Sequence, residues 1–425
     1  MRLDKNRIAE LNKAHLPQHK EDAGRLIEKL YNKGIDADSV INKLIKFQIA
    51  IPSWALGTGG TRFGRFSGPG EPTSLESKIE DVGLLHALNQ SSGAISLHIP
   101  WDVPSDVDAI CSLAKEMDVK FDAVNSNTFQ DQKGQALSYK YGSLMHVNKE
   151  VRDQAIAHNI EVINHGTNLG AKALTVWLAD GTCFPGQANF RKSFENTLDS
   201  LKQIYAELPA DWNLLVEYKP YEPNFYSMAI PDWGTSHMMA QELGDKALSL
   251  VDLGHHLPNT NIEQIVAILM MRSKLGGFHF NDSKYGDDDV TSGSLKPYQL
   301  FLIFNELVDG MDNTDNPDLS WMIDASHNLK DPMEDLLQAV EAIMIAYAQA
   351  LIVDRKALAD AQEANDIARA QEILQDAYRT DVRVIVAEAR IKGGAAWSPL
   401  ETYRQLDIRK ALVDERGKYT LATGL

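Results

Sequence analysis

The stretch NLLVEYKP, Asn213–Pro220, shows the pattern that decides the fold: a short apolar run that ends in charged residues. Continuous apolar runs are typical of parallel strands that are buried on both faces. Eight such runs follow one another, separated by amphipathic stretches with helical spacing: Phe47–Leu56, Ala94–Asp102, Phe121–Phe129, Ala173–Asp180, Asn213–Pro220, Ala247–His256, Gly276–Ser283 and Leu319–His327. Eight strand–helix units predict an α/β fold, a (β/α)8 TIM barrel, and a doubly wound open sheet is the alternative.

The regions on either side of these runs have helical patterns. Residues 1–46 are predicted to form an N-terminal helical extension, residues 47–330 the barrel, and residues 331–425 a C-terminal helical arm. Within the arm, Lys356–Arg383 is polar apart from a few apolar positions, among them Leu358, Ala361, Ile367, Ile373 and Leu374. This pattern predicts a solvent-exposed helix that packs on a second subunit, and an exposed helix of a monomer is the alternative.

Composition and charge narrow the class of protein. The 425 residues carry a formal net charge of -17, which repels nucleic acid and anionic membrane, so we expect neither as a partner. The N-terminal residues are charged from position 2, which does not fit a signal peptide, and no apolar run reaches the roughly 18 residues of a membrane span. Cys111 and Cys183 lack paired spacing and suggest free thiols in a reducing compartment. We therefore expect a cytoplasmic protein.

Acidic and imidazole side chains end the last four runs. In a barrel of this kind the strand ends build the active site. The polar residues at the ends of these four runs, or shortly after them, are Glu217, Lys219, Asp252, His255, His256, His279, Asp287, Asp288, Asp289, Asp324, Ser326 and His327. Single residues of these types are more often helix caps or partners of backbone groups. Here, however, five carboxylates would converge at one barrel mouth, and they require raised pKa values or bound cations. They are Glu217, Asp252, Asp287, Asp289 and Asp324. The histidines among them, His255 and His279, favour a metal site.

Two spacings refine the metal prediction. Asp252 and His255 form D-x-x-H around Gly254, which lets both side chains approach one ion. Asp287 and Asp289 form D-x-D, and in an extended loop these two would project to one side while Asp288 points away. An oxygen-rich set with one imidazole per ion suits Mn²⁺, Mg²⁺ or Co²⁺ better than a structural zinc site.

Tryptophans end three of the other runs. Trp54, Trp101 and Trp177 lie near the ends of the first, second and fourth runs, and His98 precedes Trp101. One tryptophan alone would more often belong to the core, but three at one rim form an apolar wall opposite polar groups. Such a wall suits the C–H faces of a sugar. The residues therefore predict a metal-dependent enzyme that acts on a small polyol.

At these residues the chain resembles a known family. The segments EYKP at Glu217, DLGH at Asp252, HF at His279, DDD at Asp287 and DAS at Asp324 resemble the metal-binding signature of bacterial L-rhamnose isomerases. The wider likeness is to xylose isomerase-type barrels. The resemblance extends over nearly the whole chain and includes the HIPWD segment that starts at His98 and the C-terminal helices.

The resemblance implies two divalent cations per subunit, with Mn²⁺ expected and Co²⁺, Mg²⁺ or Zn²⁺ as alternatives. It implies Glu217, Asp252, His279 and Asp324 as ligands of the first ion, and His255, Asp287 and Asp289, with Asp252 as a bridge, as ligands of the second. It also implies that Lys219, Asp287, Asp324 and His98 take part in catalysis. A sugar-binding pocket would include Trp54, His98, Trp101, Trp177, Lys219 and Ser326.

The implied activity is the interconversion of L-rhamnose and L-rhamnulose by a homotetramer. A metal-promoted hydride shift is the favoured route, because metal ligation occupies most nearby carboxylates, and an ene-diol route with a carboxylate base is the alternative. A related epimerase or isomerase with another preferred sugar remains an alternative. A nuclease would need a basic groove, and an exported sugar-binding protein would need neither two ions nor Lys219.

The glycine-rich stretch GTGGTRFGRFSGPG, Gly57–Gly70, follows the first run and raises the question of a phosphate loop. It fails as one, because Arg62 stands where G-x-G-x-x-G needs glycine and no G-K-[ST] follows. We interpret the stretch as a cover over the barrel mouth. The family resemblance implies that its Phe66 reaches a neighbouring subunit's sugar site, and a flexible surface loop is the alternative.

Overall fold

A closed barrel of eight parallel strands forms the centre of the protein, as the sequence predicts. The computed structural model describes residues 3–57, 66, 68–222, 227–325 and 329–418. The strands follow one another in chain order around the barrel, and β1 closes it by pairing with β8. They are β1 Ala50–Pro52, β2 Ala94–Ile99, β3 Lys120–Ser126, β4 Ala173–Val176, β5 Asn213–Glu217, β6 Ala247–Asp252, β7 Leu275–Phe280 and β8 Ser320–Ile323.

Helices precede, separate and follow the strands. Before β1 lie α1 Lys5–Asn12, α2 Leu16–Asn32 and α3 Ala37–Lys46. Between strands lie α4 Ser53–Leu56, α5 Leu75–Asn89, α6 Val107–Glu116, α7 Lys149–Leu169, α8 Phe190–Ala206, α9 Trp233–Leu243, α10 Ile262–Met271 and α11 Pro297–Asn313. After β8 come α12 Pro332–Leu351, α13 Arg355–Glu363, α14 Ile367–Arg379, α15 Arg383–Lys392, α16 Pro399–Gln405 and α17 Ile408–Arg416.

Polar residues at the loop–helix boundaries start many of these helices. A side-chain oxygen at the cap accepts a hydrogen bond from an N–H of the first turn, which satisfies a donor that has no partner within the helix. The capping residues include Ser74 for α5, Asp106 for α6, Asn148 for α7, Asn189 for α8 and Asp232 for α9. These caps explain why polar clusters separate the apolar runs.

The core has an outer and an inner part. The main core lies between the strands and the surrounding helices. A smaller cluster consists of Ala123, Ala173, Leu215, Leu248 and Leu250. Side chains two positions apart on a strand share a face, so Leu215 lies on the same face as Glu217 and Leu250 on the same face as Asp252. The inner cluster thus forms an apolar floor beneath the polar strand ends.

Two predicted elements differ from the structure. The first run was expected to be a strand as far as Leu56, but only Ala50–Pro52 is extended and Ser53–Leu56 forms the short helix α4. The polar stretch Lys356–Arg383 is not one helix either. It breaks between α13 and α14, where Asn365 has a φ of 54° and Asp366 caps the second helix. Leu358, Ala361 and Ile373 are buried in the resulting hairpin, whereas Ile367 is exposed.

The C-terminal helices attach to the barrel and to the N-terminal helices. Helix α12 packs against α11 and α5 and so completes the ring of helices around the strands. Helix α15 packs against α2 and α3, which joins the two ends of the chain. Among the described residues no single helix is long and apolar enough to span a membrane, although α12 and α13, bent by 65° at their break, pass that test as a pair.

Candidate metal centre and active site

The carboxyl ends of β5, β6, β7 and β8 bring four predicted ligands together. Glu217 ends β5, Asp252 ends β6, His279 lies near the end of β7, and Asp324 directly follows β8. The strand register pairs Asp252 with His279, which places the two side chains at the same height in the barrel. Ligand atoms of Glu217, Asp252, His279 and Asp324 all lie within 4.8 Å of one another. This is the set predicted for the first ion.

His279 lies at the centre of this first group. Its Nδ1 is 3.2 Å from Glu217 Oε1, 3.6 Å from Asp252 Oδ2 and 3.5 Å from Asp324 Oδ2. Three carboxylates around one ring nitrogen exceed what a neutral imidazole can satisfy with one N–H. The excess of negative charge makes the group suitable for a divalent cation.

A second group lies beside the first and shares one residue with it. Ligand atoms of Asp252, His255 and Asp287 also lie within 4.8 Å of one another. His255 Nε2 is 3.5 Å from Asp287 Oδ1, while its Nδ1 lies 3.1 Å from the carbonyl oxygen of Tyr218 and 3.2 Å from Glu217 Oε1. Asp252 belongs to both groups, which is the bridging position implied by the family resemblance.

Two observations test whether these groups fit cations. Within the described part of the chain, Asp252 Oδ2 and Asp287 Oδ1 are buried oxygens that accept no hydrogen bond, and such oxygens are costly unless something else satisfies them. In addition, a Cβ at Gly254 would lie 2.9 Å from Asp287 Oδ1 and 3.3 Å from Asp252 Oδ1. Glycine therefore keeps open the space between the two carboxylates, and the residues fit a pair of cations.

The electrostatics of the site attract positive charge. Burial opposes ionisation of Glu217, but the charges of His279 and His255 outweigh it and lower the pKa of Glu217 to about 2. Burial likewise opposes protonation of His255, yet Asp252 and Asp287 raise its pKa well above the ordinary 6.5. Burial raises the pKa of Asp252 itself. The carboxylates thus hold positive charge on the imidazoles, where a bound cation would replace it.

The D-x-D prediction needs a correction at Asp289. The segment is a tight loop closed by a bridge between Asp282 and Val290, and Asp289 has a φ of 49°, so the expected extended geometry is absent. Asp288 turns back to its own loop, where its carboxylate accepts N–H groups of Lys284 and Tyr285. Asp287 joins the second ligand group, whereas Asp289 lies outside it.

Asp289 remains close to the ligands all the same. Asn281 Nδ2 donates to Asp289 Oδ1 at 3.4 Å and to Asp252 Oδ1 at 2.9 Å, so one amide connects the two carboxyl groups. Burial, reinforced by the charge of Asp287, raises the pKa of Asp289 well above 3.8. Its role as a ligand of the second ion stays a prediction.

Lys219 adds a buried ammonium group to the site. It follows β5, is buried, and its Nζ donates to Asp287 Oδ2 at 2.6 Å and to Glu222 Oε2 at 2.8 Å. Glu217, two positions earlier on the same strand end, is not its partner, because Glu217 faces the two imidazoles while Lys219 turns toward Asp287. An ammonium group has three N–H donors, so one remains for a ligand.

The predicted aromatic wall is continuous; it reaches the proposed metal ligand Asp324 at one end and Lys219 at the other. The ring of His98 lies 5.2 Å from Trp54, 5.0 Å from Trp101 and 5.3 Å from Phe129. Phe129 in turn lies 5.2 Å from Trp177. At one end the Trp54 indole N–H donates to Asp324 Oδ1 at 3.0 Å. At the other end Lys219 Nζ lies 5.3 Å from the centre of the Trp177 ring.

A buried ion pair supports this wall from below. Asp102 accepts hydrogen bonds from Lys78 Nζ at 2.6 Å and from the His98 N–H at 2.8 Å, and a third from the Ser53 hydroxyl. Both charged side chains are almost fully buried. The network joins α5, the end of β2 and the start of α4, so it fixes the positions of Trp54 and His98.

Sequence reasoning missed several supporting residues, namely Glu222, Asn281, Phe129, Lys78 and Ser53. Phe129 ends the third apolar run, which was a usable signal. The others are polar residues whose importance depends on which side chain faces them. Of the other predicted pocket residues, Ser326 lies outside the described residues, and Phe66 is 78% exposed on its own chain. Of the glycine-rich stretch, positions 58–65 and 67 also lie outside the described residues.

His256, the neighbour of His255, does not join the ligands. Its Nε2 lies 2.8 Å from the hydroxyl of Tyr218, and burial, reinforced by the charge of His255, lowers its pKa to about 4. It is a neutral partner of Tyr218 beside the site.

Comparison with known proteins places the chain among sugar isomerases. It is 51% identical over 414 residues to a probable sugar isomerase of Mesorhizobium japonicum, with 97% of this chain and 96% of that protein covered. It is 52% identical over 396 residues to a probable sugar isomerase of Rhizobium meliloti, with 93% and 92% covered. No protein-family model matches.

One solved structure agrees with the fold. An L-ribulose 3-epimerase structure matches with a TM-score of 0.51 at 14% identity, over 72% of this chain and 95% of that chain, which bears on the fold alone. The rhizobial relatives, by contrast, are similar over nearly their whole length. The chain therefore belongs to the family of these sugar isomerases, on a (β/α)8 barrel.

Proposed function

We propose that the protein is a metal-dependent aldose–ketose isomerase that interconverts L-rhamnose and L-rhamnulose. The observation that carries the proposal is the pair of ligand groups that share Asp252, with buried Lys219 bonded to a ligand of the second group. The relatives named as sugar isomerases support the reaction class. The choice of L-rhamnose rests on the ligand signature that resembles L-rhamnose isomerases.

Two divalent cations, with Mn²⁺ as our proposal, would be held by the two groups. When bound, they supply Lewis-acid polarisation of the sugar oxygens and a template for its orientation. Glu217, His279 and Asp324 would serve the first ion, and His255 and Asp287 the second, with Asp252 between them. Asn281 holds one oxygen of Asp252 through its amide, which leaves the other oxygen directed at the ligand groups.

The reaction moves two hydrogens. The hydrogen on carbon 2 passes with its electron pair to carbon 1, and the proton of the hydroxyl on carbon 2 is transferred to the oxygen on carbon 1. Negative charge develops on that oxygen during the change. Burial would lower the pKa of Lys219, but the charges of Asp287 and Glu222 outweigh it and keep that pKa above its ordinary value. The ammonium group therefore stays charged and is suited to stabilise the developing negative charge.

The aromatic wall would hold the rest of the sugar. The rings of Trp54, Trp101, Phe129 and Trp177 offer apolar faces to its C–H groups, and His98 among them offers a hydrogen-bonding group to a ring or distal oxygen. The Trp177 ring of the wall also lies against Lys219, whose side chain is buried. Exclusion of water strengthens the interaction of a buried ammonium group with the developing charge.

A ketose assay tests the proposal. Purified protein is incubated with L-rhamnose and with a set of other aldoses, in Mn²⁺ and in excess chelator, and ketose formation is followed. We expect L-rhamnulose, loss of the activity in chelator, and recovery when Mn²⁺ is restored. Asp287→Asn should abolish turnover, whereas the matched control Asp288→Asn, which alters the neighbouring carboxylate that faces its own loop, should retain it. Formation of no ketose from any aldose would contradict the proposal.

A further inference from the structure

The C-terminal helix α17 is in contact with the chain that returns from the glycine-rich stretch. The N–H of Gly70 donates to the carbonyl oxygen of Gly417 at 3.0 Å. Arg409 Nη1 donates to the carbonyl oxygens of Pro69 at 3.4 Å and Gly70 at 3.3 Å, and Arg416 Nη1 donates to Gly70 at 3.4 Å. Helix α17 and the glycine that follows it therefore provide hydrogen-bond partners for the Gly70 N–H and for the carbonyl oxygens of Pro69 and Gly70.

The packing at Gly70 is close enough to require glycine. A Cβ there would lie 2.8 Å from the backbone nitrogen of Val413 and 2.9 Å from the carbonyl carbon of Leu412. Gly70 also has a φ of 73°, in the left-handed region that other residues adopt at a cost. This approach of two backbones fixes residue 70 against the helix.

Arg409 also binds the segment that follows the last strand. Its Nε donates to Asp331 Oδ2 at 2.7 Å and its Nη2 donates to the other oxygen, a two-pronged contact that is geometrically specific. The Tyr403 hydroxyl donates to the same carboxylate at 2.8 Å. Asp331 caps α12 by accepting the N–H of Met333, so Arg409 fixes the point where the loop after β8 enters its helix.

A third contact secures the helix itself. Arg416 Nη1 donates to Asp81 Oδ2 at 2.9 Å, and Asp81 is 1% exposed on α5. Helix α17 is thus attached to α5, to the start of α12 and to residues 69–70 at once. Without such an anchor Arg409 would have no fixed position from which to act.

The two segments that Arg409 contacts lead to Trp54 and to Asp324, two residues of the proposed site that are hydrogen-bonded to each other. On one side, a Cβ at Gly57 would lie 2.2 Å from the carbonyl oxygen of Pro72, so the chain that leaves α4 touches the chain that enters α5. Helix α4 carries Trp54, which donates to Asp324. On the other side, Asp331 lies downstream of Asp324 in the connection between β8 and α12.

We propose that Arg409 is a positioning residue for the active site, holding the β1 and β8 ends of the barrel mouth in register through residues 69–70 and Asp331. The C-terminal helix is then part of the scaffold of its own subunit's site, in addition to any role between subunits. The catalytic consequence rests on the proposed sugar isomerase function, whereas the structural consequence does not.

The test compares two arginines that each make a two-pronged ion pair with a carboxylate at the start of α12, of which the Arg409 pair is the more buried. Arg409→Gln removes the contact, and Arg404→Gln is the matched control, because Arg404 binds Glu334 on α12 with two bonds of 2.6 and 2.8 Å. Hydrogen exchange of peptides that cover residues 50–57 and 320–325 is measured in metal-free protein. Mn²⁺ affinity and the KM for L-rhamnose are measured on the same samples. If Arg409→Gln does not fold, Arg409→Lys, which loses the fork but keeps the charge, takes its place.

We expect exchange in both peptides to be at least about fivefold faster in the Arg409 variant, with a KM increased at least about fivefold, and both values near native in Arg404→Gln. Unchanged exchange in these peptides overturns the proposal, as does faster exchange with an unchanged KM. If the native protein turns over no sugar, the proposed function fails, and Mn²⁺ affinity takes the place of KM in deciding on Arg409.

Discussion

The ammonium nitrogen of Lys219 lies 2.6 Å from Oδ2 of Asp287, a residue whose other oxygen lies in the second ligand group. One carboxylate therefore connects the protein's own buried cation with the place proposed for a metal ion. Burial opposes ionisation of Asp287, but the charges of His255 and Lys219 outweigh it and hold the pKa of Asp287 far below its ordinary 3.8, so the carboxylate remains ionised. In the proposed isomerase, this link would let Lys219 and the metal ion act on the same sugar oxygens.

Loss of the Lys219 charge should slow the reaction without emptying the metal site. We expect Lys219→Met to lower kcat by about 10²–10³, because a preorganised charge next to the developing oxyanion is removed. The number of bound ions, determined by metal analysis, should stay as in the native protein. Lys284→Met serves as the control, since Lys284 is an exposed lysine of the neighbouring loop. A kcat of Lys219→Met within about threefold of native would remove Lys219 from the chemistry.

A methyl group at Gly254 should interfere with the second ion. Gly254→Ala would place a Cβ 2.9 Å from Asp287 Oδ1 and 3.0 Å from Asn281 Oδ1, so the side chains around the ion would have to move apart. We expect weaker binding of one of two Mn²⁺ ions in calorimetric titration. Gly24→Ala is the control, because a Cβ at Gly24 in α2 meets nothing within 4 Å. Two unchanged binding steps in Gly254→Ala would show that the space is not used.

Isotope content of the product distinguishes the two chemical routes. In deuterated water a direct shift of hydride from carbon 2 to carbon 1 leaves carbon-bound deuterium near zero. An ene-diol route with a carboxylate base exchanges that hydrogen with solvent. We expect mass spectrometry of the ketose to show almost no carbon-bound deuterium after one turnover, because Glu217, Asp252, Asp287 and Asp324 are committed to the ligand groups. Substantial incorporation would contradict the shift.

The ion pair between Asp331 and Arg409 should give a pH dependence of stability. Burial opposes ionisation of Asp331, but the hydrogen bonds and charge of Arg409 outweigh it and lower its pKa below 3.8. A carboxylate with a lowered folded-state pKa stabilises the fold above its unfolded pKa and loses that contribution as the pH falls through the folded value. Asp331→Asn should therefore cost about 1–3 kcal/mol of unfolding free energy at pH 7 and pH 5 alike.

That difference should shrink only below about pH 3.8, as the native carboxylate takes up its proton. Urea unfolding followed by circular dichroism at several pH values measures it. Glu334→Gln is the control, because its ion pair with Arg404 is more exposed and should contribute at most about 1 kcal/mol. A difference that is already lost at pH 5 would show that the folded pKa of Asp331 is raised instead of lowered.

The strand ends could be predicted from the sequence because parallel barrels collect them on one rim. Glu217, Asp252, His279 and Asp324 each follow an apolar run, and side chains in such places converge whatever the loops do. The positions of side chains in the loops were harder to predict. The direction of the Asp289 side chain depends on a tight turn with a positive φ, and the partner of Lys219 depends on how the chain bends after β5. Local spacing carries no information on either bend.

Buried polar partners were the other part that the sequence could not reveal. Lys78 and Asp102 lie 24 positions apart, and Asn281 lies 29 positions from Asp252. In the sequence, Lys78 and Asn281 do not differ from other polar residues, and only the fold brings each of them next to a carboxylate. The same holds for Arg409, which reaches Pro69 across 340 positions of sequence. Predicted oligomer formation, and contact of Phe66 with a second subunit, stay predictions.

A single titration tests the two-cation site most directly. Metal-free protein is titrated with Mn²⁺, and the bound ions per chain and the rate of L-rhamnulose formation are measured on the same sample, for native protein and for Asp252→Asn. Because Asp252 belongs to both ligand groups, we expect two ions per native chain, turnover that rises as they bind, and loss of both in the variant. Turnover in native protein without bound ions, or an Asp252→Asn variant that binds two ions and forms L-rhamnulose at the native rate, would contradict the shared site.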